Sequence, residues 1–470
     1  MPGYNQRFLM SITLVATLGG LLFGYDTAVI SGTVGSLKSY FIDPLGYTEL
    51  KANSMLGFAV SSALIGCIIG GISGGFLSLR LGRKKSLMLA AILFTISALG
   101  SAAPEFGFAP VGEGGSSYLS IFIFYRIIGG MGVGLASMLS PMYIAELAPA
   151  SKRGALVSYN QFAIIFGMLI VYFVNYSISL AGDSHWLDTI GWRWMFASEL
   201  LPACLFFVLL WRVPESPRWL VLKGRDEEAK QVLNKINGER NGAEIYNEVV
   251  ADLGDHKSAP ILTYGILVIV IGVLLSVFQQ FVGINVVLYY APEIFKSAGA
   301  GTSAALLQTI IVGFINLIFT VVAIKTVDRF GRKPLMIIGA VGMGISMLAL
   351  GLTFTTARTG TLSLVFMLTY VAAFAVSWGP VVWVLLSEIF PNKIRGKALS
   401  IAVAAQWIAN FAVSQTFPIM DNNSTLNEYF NHGFAYLLYG VIGFIAAWFV
   451  WKYVPETKGN SLEEMEKLWK

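Results

Sequence analysis

Stretches long and apolar enough to cross a hydrocarbon layer return again and again along this chain, and that recurrence limits the fold more than any other feature. A helix needs about 20 mostly apolar residues to span such a layer. Runs of this kind lie near 8–31, 54–78, 86–103, 118–144, 156–180 and 194–213. Six more follow near 261–295, 303–327, 334–356, 362–387, 397–420 and 433–453. In lipid no water satisfies an open N–H or C=O, so each run must close its own hydrogen bonds as an α-helix. Of the 470 residues, 56% are hydrophobic and 13% charged, whereas soluble domains carry about a quarter charged residues. A soluble fold of this size has no place for so much apolar surface. The expected class is an all-α integral membrane protein with twelve transmembrane helices. The first run continues past Tyr25 without a small-residue cleavage site, so it reads as a spanning helix and not as a signal peptide.

A polar segment separates the sixth and seventh runs. It holds Lys223, Arg225, Asp226, Glu227, Glu228, Lys230 and Lys235 in a pattern of short amphipathic helices. The chain repeats itself on either side. Glu146, Pro149 and Arg153-Gly154 return 242 residues later as Glu388, Pro391 and Arg395-Gly396. Pro214-Glu215-Ser216 returns after 241 residues as Pro455-Glu456-Thr457, and Arg80-Leu81-Gly82-Arg83-Lys84 after 249 as Arg329-Phe330-Gly331-Arg332-Lys333. Three matches in one order at nearly one offset mean a duplicated six-helix unit. The expected organisation is an N-terminal six-helix half (1–213), a linker with short helices (214–259), a C-terminal six-helix half (260–454) and a charged tail (455–470). Two halves with a site between them is the plan of an alternating-access transporter.

Lys and Arg in short loops set orientation. Arg80, Arg83, Lys84, Lys85, Lys152 and Arg153 share one set of loops with Arg329, Arg332, Lys333, Lys393, Arg395 and Lys397. The loops near 104–117, 181–192 and 421–431 hold only Arg193, at a border. The basic loops and both termini are expected on the cytoplasmic side of a cell membrane. Carboxylates recur beside these basic residues at fixed spacing. They suggest a gate whose opposite charges pair when the halves close on that side and separate when they open. The plainer alternative is that the basic residues only fix topology.

Polar groups inside a spanning helix are costly and ask for a reason. Asp26 lies in the first run, where an ionised carboxylate costs about 2.5–3.5 kcal/mol on insertion scales. Burial favours its neutral form and a nearby Arg its charged form; Arg126 is the best available partner. A group held between those tendencies can take and release a proton, although a permanent structural ion pair would look the same. Neutral amides and aromatics make a second set: Asn160-Gln161, Gln279-Gln280, Asn285, Tyr289, Tyr290, Asn316, Trp378, Trp383, Gln406-Trp407 and Asn410. Amides both donate and accept, which suits a ring of hydroxyls, and aromatic faces suit the apolar face of a pyranose. An amine would call for carboxylates and an organic anion for Arg. The competing reading is helix–helix hydrogen bonding.

Other classes find little support. There is no basic patch with interleaved aromatics for nucleic acid. Gly129, Gly130, Gly132 and Gly134 follow no strand and precede no Walker-type lysine, so close helix packing explains them better than a nucleotide. Cys67 and Cys204 read as small buried hydrophobes, and His185, His256 and His432 as solvated loop residues. No metal, cofactor or catalytic constellation is implied, and an enzyme is not expected.

The stretches Gly19-Gly20-Leu21-Leu22-Phe23-Gly24-Tyr25-Asp26, Pro214-Glu215-Ser216-Pro217-Arg218 and Gln279-Gln280-Phe281-Val282-Gly283-Ile284-Asn285 resemble the sugar porters of the major facilitator superfamily. So do Asp328-Arg329-Phe330-Gly331-Arg332-Lys333 and Pro455-Glu456-Thr457-Lys458-Gly459. The likeness covers essentially the whole chain. It is greatest toward the bacterial D-xylose–proton branch, which is itself similar to the animal glucose facilitators. The resemblance implies the major facilitator fold and a sugar site at Gln161, Gln279, Gln280, Asn285, Asn316, Trp383 and Gln406, lined by Tyr289 and Trp407. It implies that Asp26, near Arg126, couples protons; facilitators without coupling carry Asn there. It also implies a cytoplasmic charge network of Glu146, Arg153, Glu215, Arg218, Asp328, Arg332, Glu388 and Arg395. Two positions depart from the pattern. Leu79 stands where the first-half motif has an acid or amide, and Met168 where the xylose branch has a sugar-binding Gln. The expected function is proton-coupled symport of a monosaccharide by a protein that works as a monomer, with D-xylose favoured and D-glucose second. The alternatives are an uncoupled facilitator and, from another class, a sugar sensor, against which the short tail after Pro455 counts.

Overall fold

In the computed structural model, residues 5–149, 152–255, 260–391, 393–458 and 469 are described, without the side chains of 252–255 and 328. Twelve helices in it are long and apolar enough to cross a membrane. They are α1 (Gln6–Gly32), α2 (Glu49–Leu81), α3 (Arg83–Ala102), α4 (Gly115–Leu147), α5 (Arg153–Ser179) and α6 (Ser184–Leu210), then α7 (Leu267–Ser297), α8 (Thr302–Val327), α9 (Arg332–Thr355), α10 (Thr361–Ile389), α11 (Arg395–Asp421) and α12 (Phe434–Tyr453). Each expected run has its helix, and no strand occurs among the described residues. Two starts differ from the apolar pattern. α6 begins ten residues early, because the Asp183 carboxylate accepts from Trp186 N and caps a polar first turn. α7 begins late, because Gly265 at φ +80° interrupts the apolar entry at 261–266.

Helices meet where glycine lets backbones touch, as membrane packing requires in place of a hydrophobic force. A Cβ on Gly24 of α1 would lie 1.8 Å from the carbonyl oxygen of Ile164 on α5, and one on Gly130 of α4 only 1.7 Å from that of Ala63 on α2. The glycines of α4 are therefore a packing surface, as expected. Cys67 is buried but Cys204 is exposed on α6, so the expectation of a buried Cys204 fails: apolar surface on a spanning helix can face lipid instead of protein.

The linker forms short helices at Pro217–Leu222, Asp226–Asn237 and Glu239–Asp255. It is tied to α1 by Asn5 N donating to Ile236 O at 2.7 Å and by Lys235 lying over the Phe8 ring. His185 is exposed as expected, and His256 lies outside the described residues. His432 is not simply solvated. Its Nδ1 stands 3.4 Å from Asp421 Oδ1, and the carboxylate raises the imidazole pKa.

The halves touch at the end opposite the basic loops. Ser61 Oγ of α2 donates to Gln415 Oε1 of α11 at 3.1 Å, and Gln415 Nε2 donates to Ser54 O at 2.8 Å. Nearby, Ser424 N donates to Glu49 Oε1 and the Tyr172 hydroxyl donates to Leu288 O. Gly57 sits in this seam, where a Cβ would lie 2.3 Å from the Gln415 carbonyl oxygen. A Gly57→Leu protein should therefore be unable to close this end while keeping the amides expected to bind sugar. Uptake in whole cells should fall at least about tenfold, the effect of a penalty near 1.4 kcal/mol, with sugar binding in detergent retained. Wild-type uptake by the variant would show that the seam need not form.

Candidate functional site

Two polar centres lie inside the bundle. The first joins α1, α4 and α6. Arg126 Nη1 donates to Asp26 Oδ1 at 2.9 Å, and Nη2 donates to the Asp26 carbonyl oxygen at 3.3 Å. Both residues are 1% exposed. Gly129, one turn past Arg126, keeps the helices close; a Cβ there would stand 3.0 Å from Asp26 Oδ1 and closer still to Ser97. The sequence reading missed a third member. Glu199 of α6 is fully buried beside this pair, within hydrogen-bonding reach of the Asp26 carboxyl and with no other partner for its oxygens. Asp26 Oδ2 has no other partner either. One guanidinium thus faces two carboxylates, an arrangement in which adding one proton removes an uncompensated charge. The signal for Glu199 was present: an acid inside an apolar run asks for a reason, as Asp26 did.

The second centre belongs to the other half. α7 breaks at Gly283, whose φ is +92°, and α10 breaks at Ser377. Broken helices in a membrane leave carbonyls for side chains to satisfy. Gln279 Nε2 donates to the carbonyls of Trp378 and Gly379 at 2.8 and 3.3 Å. Its Oε1 accepts from Gln406 Nε2 at 2.6 Å and from Gln280 Nε2 at 3.4 Å, and Asn285 Nδ2 donates to Gln280 Oε1. Four expected amides therefore form one chain of hydrogen bonds, with Gln406 Oε1 left without a partner. Tyr289 is buried and accepts from Asn410 Nδ2 at 3.3 Å. Trp407 packs 5.9 Å from the Phe23 ring, which places the amide centre against α1 of the other half. Gln161, Asn316 and Trp383 join no hydrogen bond of this chain among the described residues; Asn316 is buried, whereas Gln161 is partly open and Trp383 is 39% exposed. Met168 is buried on α5 where that helix crosses Gly24. Two open clefts, of about 440 and 160 Å³, lie at the closed end, one beside Ser54 and Gln415 and the other beside Asp188 and Glu293.

At the basic end the repeat becomes two matching constructions. Arg83 Nη2 meets Glu146 Oε1 at 2.7 Å, and Ser216 Oγ donates to the other Glu146 oxygen. In the second half Arg332 meets Glu388 at 2.8 Å and Thr457 Oγ1 donates to Glu388. Glu215 accepts from the N–H groups of Arg83 and Lys84 and so caps the start of α3. Glu456 caps α9 in the same way through Arg332 N and Lys333 N. Burial pushes the Glu215 carboxyl up, against the pull of those N–H groups and of Arg83. With this end open, Glu146 and Glu388 pair within their own halves, and Arg83, outside the expected gate set, is the partner of Glu146. Arg153 is exposed on the first turn of α5. Arg395 donates to the Phe390 carbonyl, and Arg218 opens the short helix at Pro217–Leu222. The Asp328 side chain lies outside the described residues. Leu79 is exposed and supplies only its carbonyl, to the Trp219 indole N–H.

A family model described as "Sugar (and other) transporter" matches residues 12–469. The D-xylose-proton symporter of Escherichia coli (strain K12) is 62% identical over 474 residues, covering 99% of this chain and 96% of that one. A glucose facilitated diffusion protein of Zymomonas mobilis is 42% identical, covering 99% and 98%. The solved inward-open conformation of the E. coli xylose transporter is 60% identical and superposes with a TM-score of 0.90, covering 98% of this chain and all of that one.

Arg126 is the only cation that the first centre offers its two carboxylates among the described residues. Breaking a buried pair by removing one partner costs about 3–5 kcal/mol. Arg126→Ala should therefore lower the melting temperature of the detergent-purified protein by several degrees at pH 8. Equal melting of variant and wild type at pH 8 would contradict this electrostatic account.

Proposed function

This chain belongs to the sugar transporter family, and we propose that it carries a monosaccharide together with a proton, D-xylose before D-glucose, by alternating access. The observation that carries the reading is the pairing of two unlike centres in one bundle: a dry carboxylate with a single guanidinium, and beside it a chain of neutral amides. Proton coupling needs a group whose charge can be removed inside the membrane, and Asp26 with Arg126 meets that need. Sugar recognition needs donors and acceptors without net charge, and Gln279, Gln280, Asn285 and Gln406 supply them. Gln161, Asn316 and Trp383 complete the sugar site from the open side, with Tyr289 and Trp407 lining it. The likeness to a D-xylose-proton symporter supports both the sugar and the coupling.

The halves 1–213 and 260–454 rock about this site, with 214–259 as linker and 455–470 as tail. The basic loops and both termini face the cytoplasm of a bacterial cell, following the distribution of Lys and Arg. With the seam at Gly57 and Gln415 closed, the site opens toward the basic end, the arrangement of an inward-facing carrier. The Arg83–Glu146 and Arg332–Glu388 pairs then hold each half together while its neighbour is away. Closing this end lets Arg153, Arg218, Asp328 and Arg395 meet the opposite half. The protein works as a monomer and catalyses no covalent chemistry.

A second reading is an uncoupled facilitator, since one relative is a facilitated-diffusion protein. Asp26 separates the two. In cells energised by a proton gradient, a protonophore should abolish accumulation of radiolabelled D-xylose, leaving equilibration. Asp26→Asn should keep sugar counterflow within about threefold while losing accumulation, since the amide retains shape and hydrogen bonds but not the titratable charge. Accumulation unaffected by the protonophore would reject coupling, and failure to transport either D-xylose or D-glucose would reject the substrate class.

A further inference from the structure

The loop between α11 and α12 crosses the closed end, and a three-cornered clasp holds it. Its short helix, Ser424–Phe430, starts at Asn423, whose side chain accepts from Leu426 N at 2.9 Å. The first residue of that helix reaches the other half: Ser424 N donates to Glu49 Oε1 of α2 at 2.7 Å. One turn on, Asn427 Nδ2 donates to the Asp421 carbonyl at 2.8 Å, and Asn427 Oδ1 accepts from His432 N at 3.0 Å. A carbonyl can only accept and a backbone N–H can only donate, so these two bonds fix the Asn427 amide. His432 Nδ1 stands 3.4 Å from Asp421 Oδ1 and completes the clasp. The short helix is thus held at both ends of the loop, by the last residue of α11 and by a residue just before α12.

The clasp works against its own backbone. Asn431 and His432 lie in the left-handed region, at φ +42° and +66°, which residues with a side chain seldom adopt. Asn431 Nδ2 donates to the Phe354 carbonyl at 2.8 Å and pins this turn to α9. A carboxylate oxygen only accepts, so the imidazole nitrogen facing it carries a hydrogen; a proton on the other nitrogen makes a cation beside an anion. The Asp421 side chain is 11% exposed and that of His432 29%, so the imidazole meets the solution while the carboxylate is largely dry. Asp421 raises the imidazole pKa, against the opposing effect of burial. Tyr436 and Tyr439 of α12 act on the same carboxylate, with phenols uncharged over the range used below. Glu428 and Tyr429 of the short helix, Arg358 beyond α9, and Glu49 and Lys51 of α2 are the other titratable groups around the loop, and all are exposed.

We propose that His432 is a pH-dependent latch for the closed end: its imidazolium, paired with Asp421, tightens the clasp that holds the short helix where Ser424 meets Glu49 of the opposite half. The folded loop favours the protonated ring, so the pair's contribution is complete in acid and is lost as pH rises through the raised imidazole pKa. An acidic exterior then favours the inward-facing arrangement, and an alkaline one releases it. That consequence rests on the rocking and orientation proposed above; the clasp itself rests on neither.

The test is amide hydrogen exchange of the purified full-length protein in segments 421–433 and 48–56, at pH 6 and pH 9, corrected for the intrinsic pH dependence of exchange. Wild type should be about threefold better protected at pH 6 in both segments, the scale of a partly exposed ion pair. His432→Asn puts in an uncharged amide that tolerates the left-handed backbone, and it should show equal protection at the two pH values. Asp421→Asn should do the same; His432→Asn decides alone if that variant does not fold. The threefold change should survive in Asp26→Asn protein, where the buried carboxylate no longer titrates. A change that persists in His432→Asn, or vanishes in Asp26→Asn, would overturn the latch. So would a change confined to 421–433, since the clasp would then have no hold on the opposite half. None of these outcomes bears on symport, which the protonophore decides.

Discussion

A carboxylate kept dry beside one guanidinium is the constraint on which the rest of this molecule depends. In water the pair would be worth little; inside the bundle each charge is tolerable only while the other is in place. That condition dictates how tightly α1, α4, α5 and α6 must pack. Gly24 and Gly129 remove side chains at the crossings around Asp26, and any Cβ there would push the helices apart. Glu199 makes the balance finer still, since two acids share one base. A proton is the smallest change that can alter this balance, and the fold leaves Asp26 Oδ2 and the Glu199 oxygens with no partner outside the two carboxyls themselves.

The two halves share a frame but not a task. Matching Arg–Glu pairs and matching carboxylate caps hold the basic ends of α3 and α9. Within the membrane the halves diverge. α4 carries Pro141 yet runs unbroken from Leu119 to Leu147, whereas α7 and α10 break at Gly283 and Ser377. Breaks expose carbonyls, and Gln279 satisfies two of them while keeping its oxygen for Gln406 and Gln280. The amides are therefore organised as one unit in the C-terminal half, with the charged centre in the N-terminal half and Trp407 against Phe23 between them. The relatives in the family carry sugars, and this division of labour accounts for how such a chain can bind sugar and proton at separate points.

Much of this was legible in the sequence because lipid imposes a simple rule: length and apolarity alone identify a spanning helix. All twelve runs found their helices, and the repeated motifs found matching places. What the sequence could not disclose depends on tertiary neighbours. The partner of Glu146 is Arg83 of the same half, a choice made by the packing of α2, α3 and α4 that no spacing reveals. Glu199 was overlooked because the apolar run around it was read for its length. Cys204 faces outward because hydropathy does not say which side of a helix meets lipid. α6 started early through an Asp183 cap, a local bond that periodicity does not report.

The most direct test of the account is the steady-state ratio of D-xylose inside to outside proteoliposomes held at a fixed pH difference with the membrane potential clamped at zero. If one proton moves with each sugar through the Asp26 centre, the ratio should rise about tenfold for each unit of pH difference, since one unit is worth about 1.4 kcal/mol. A ratio that stays at one whatever the imposed gradient would contradict the account.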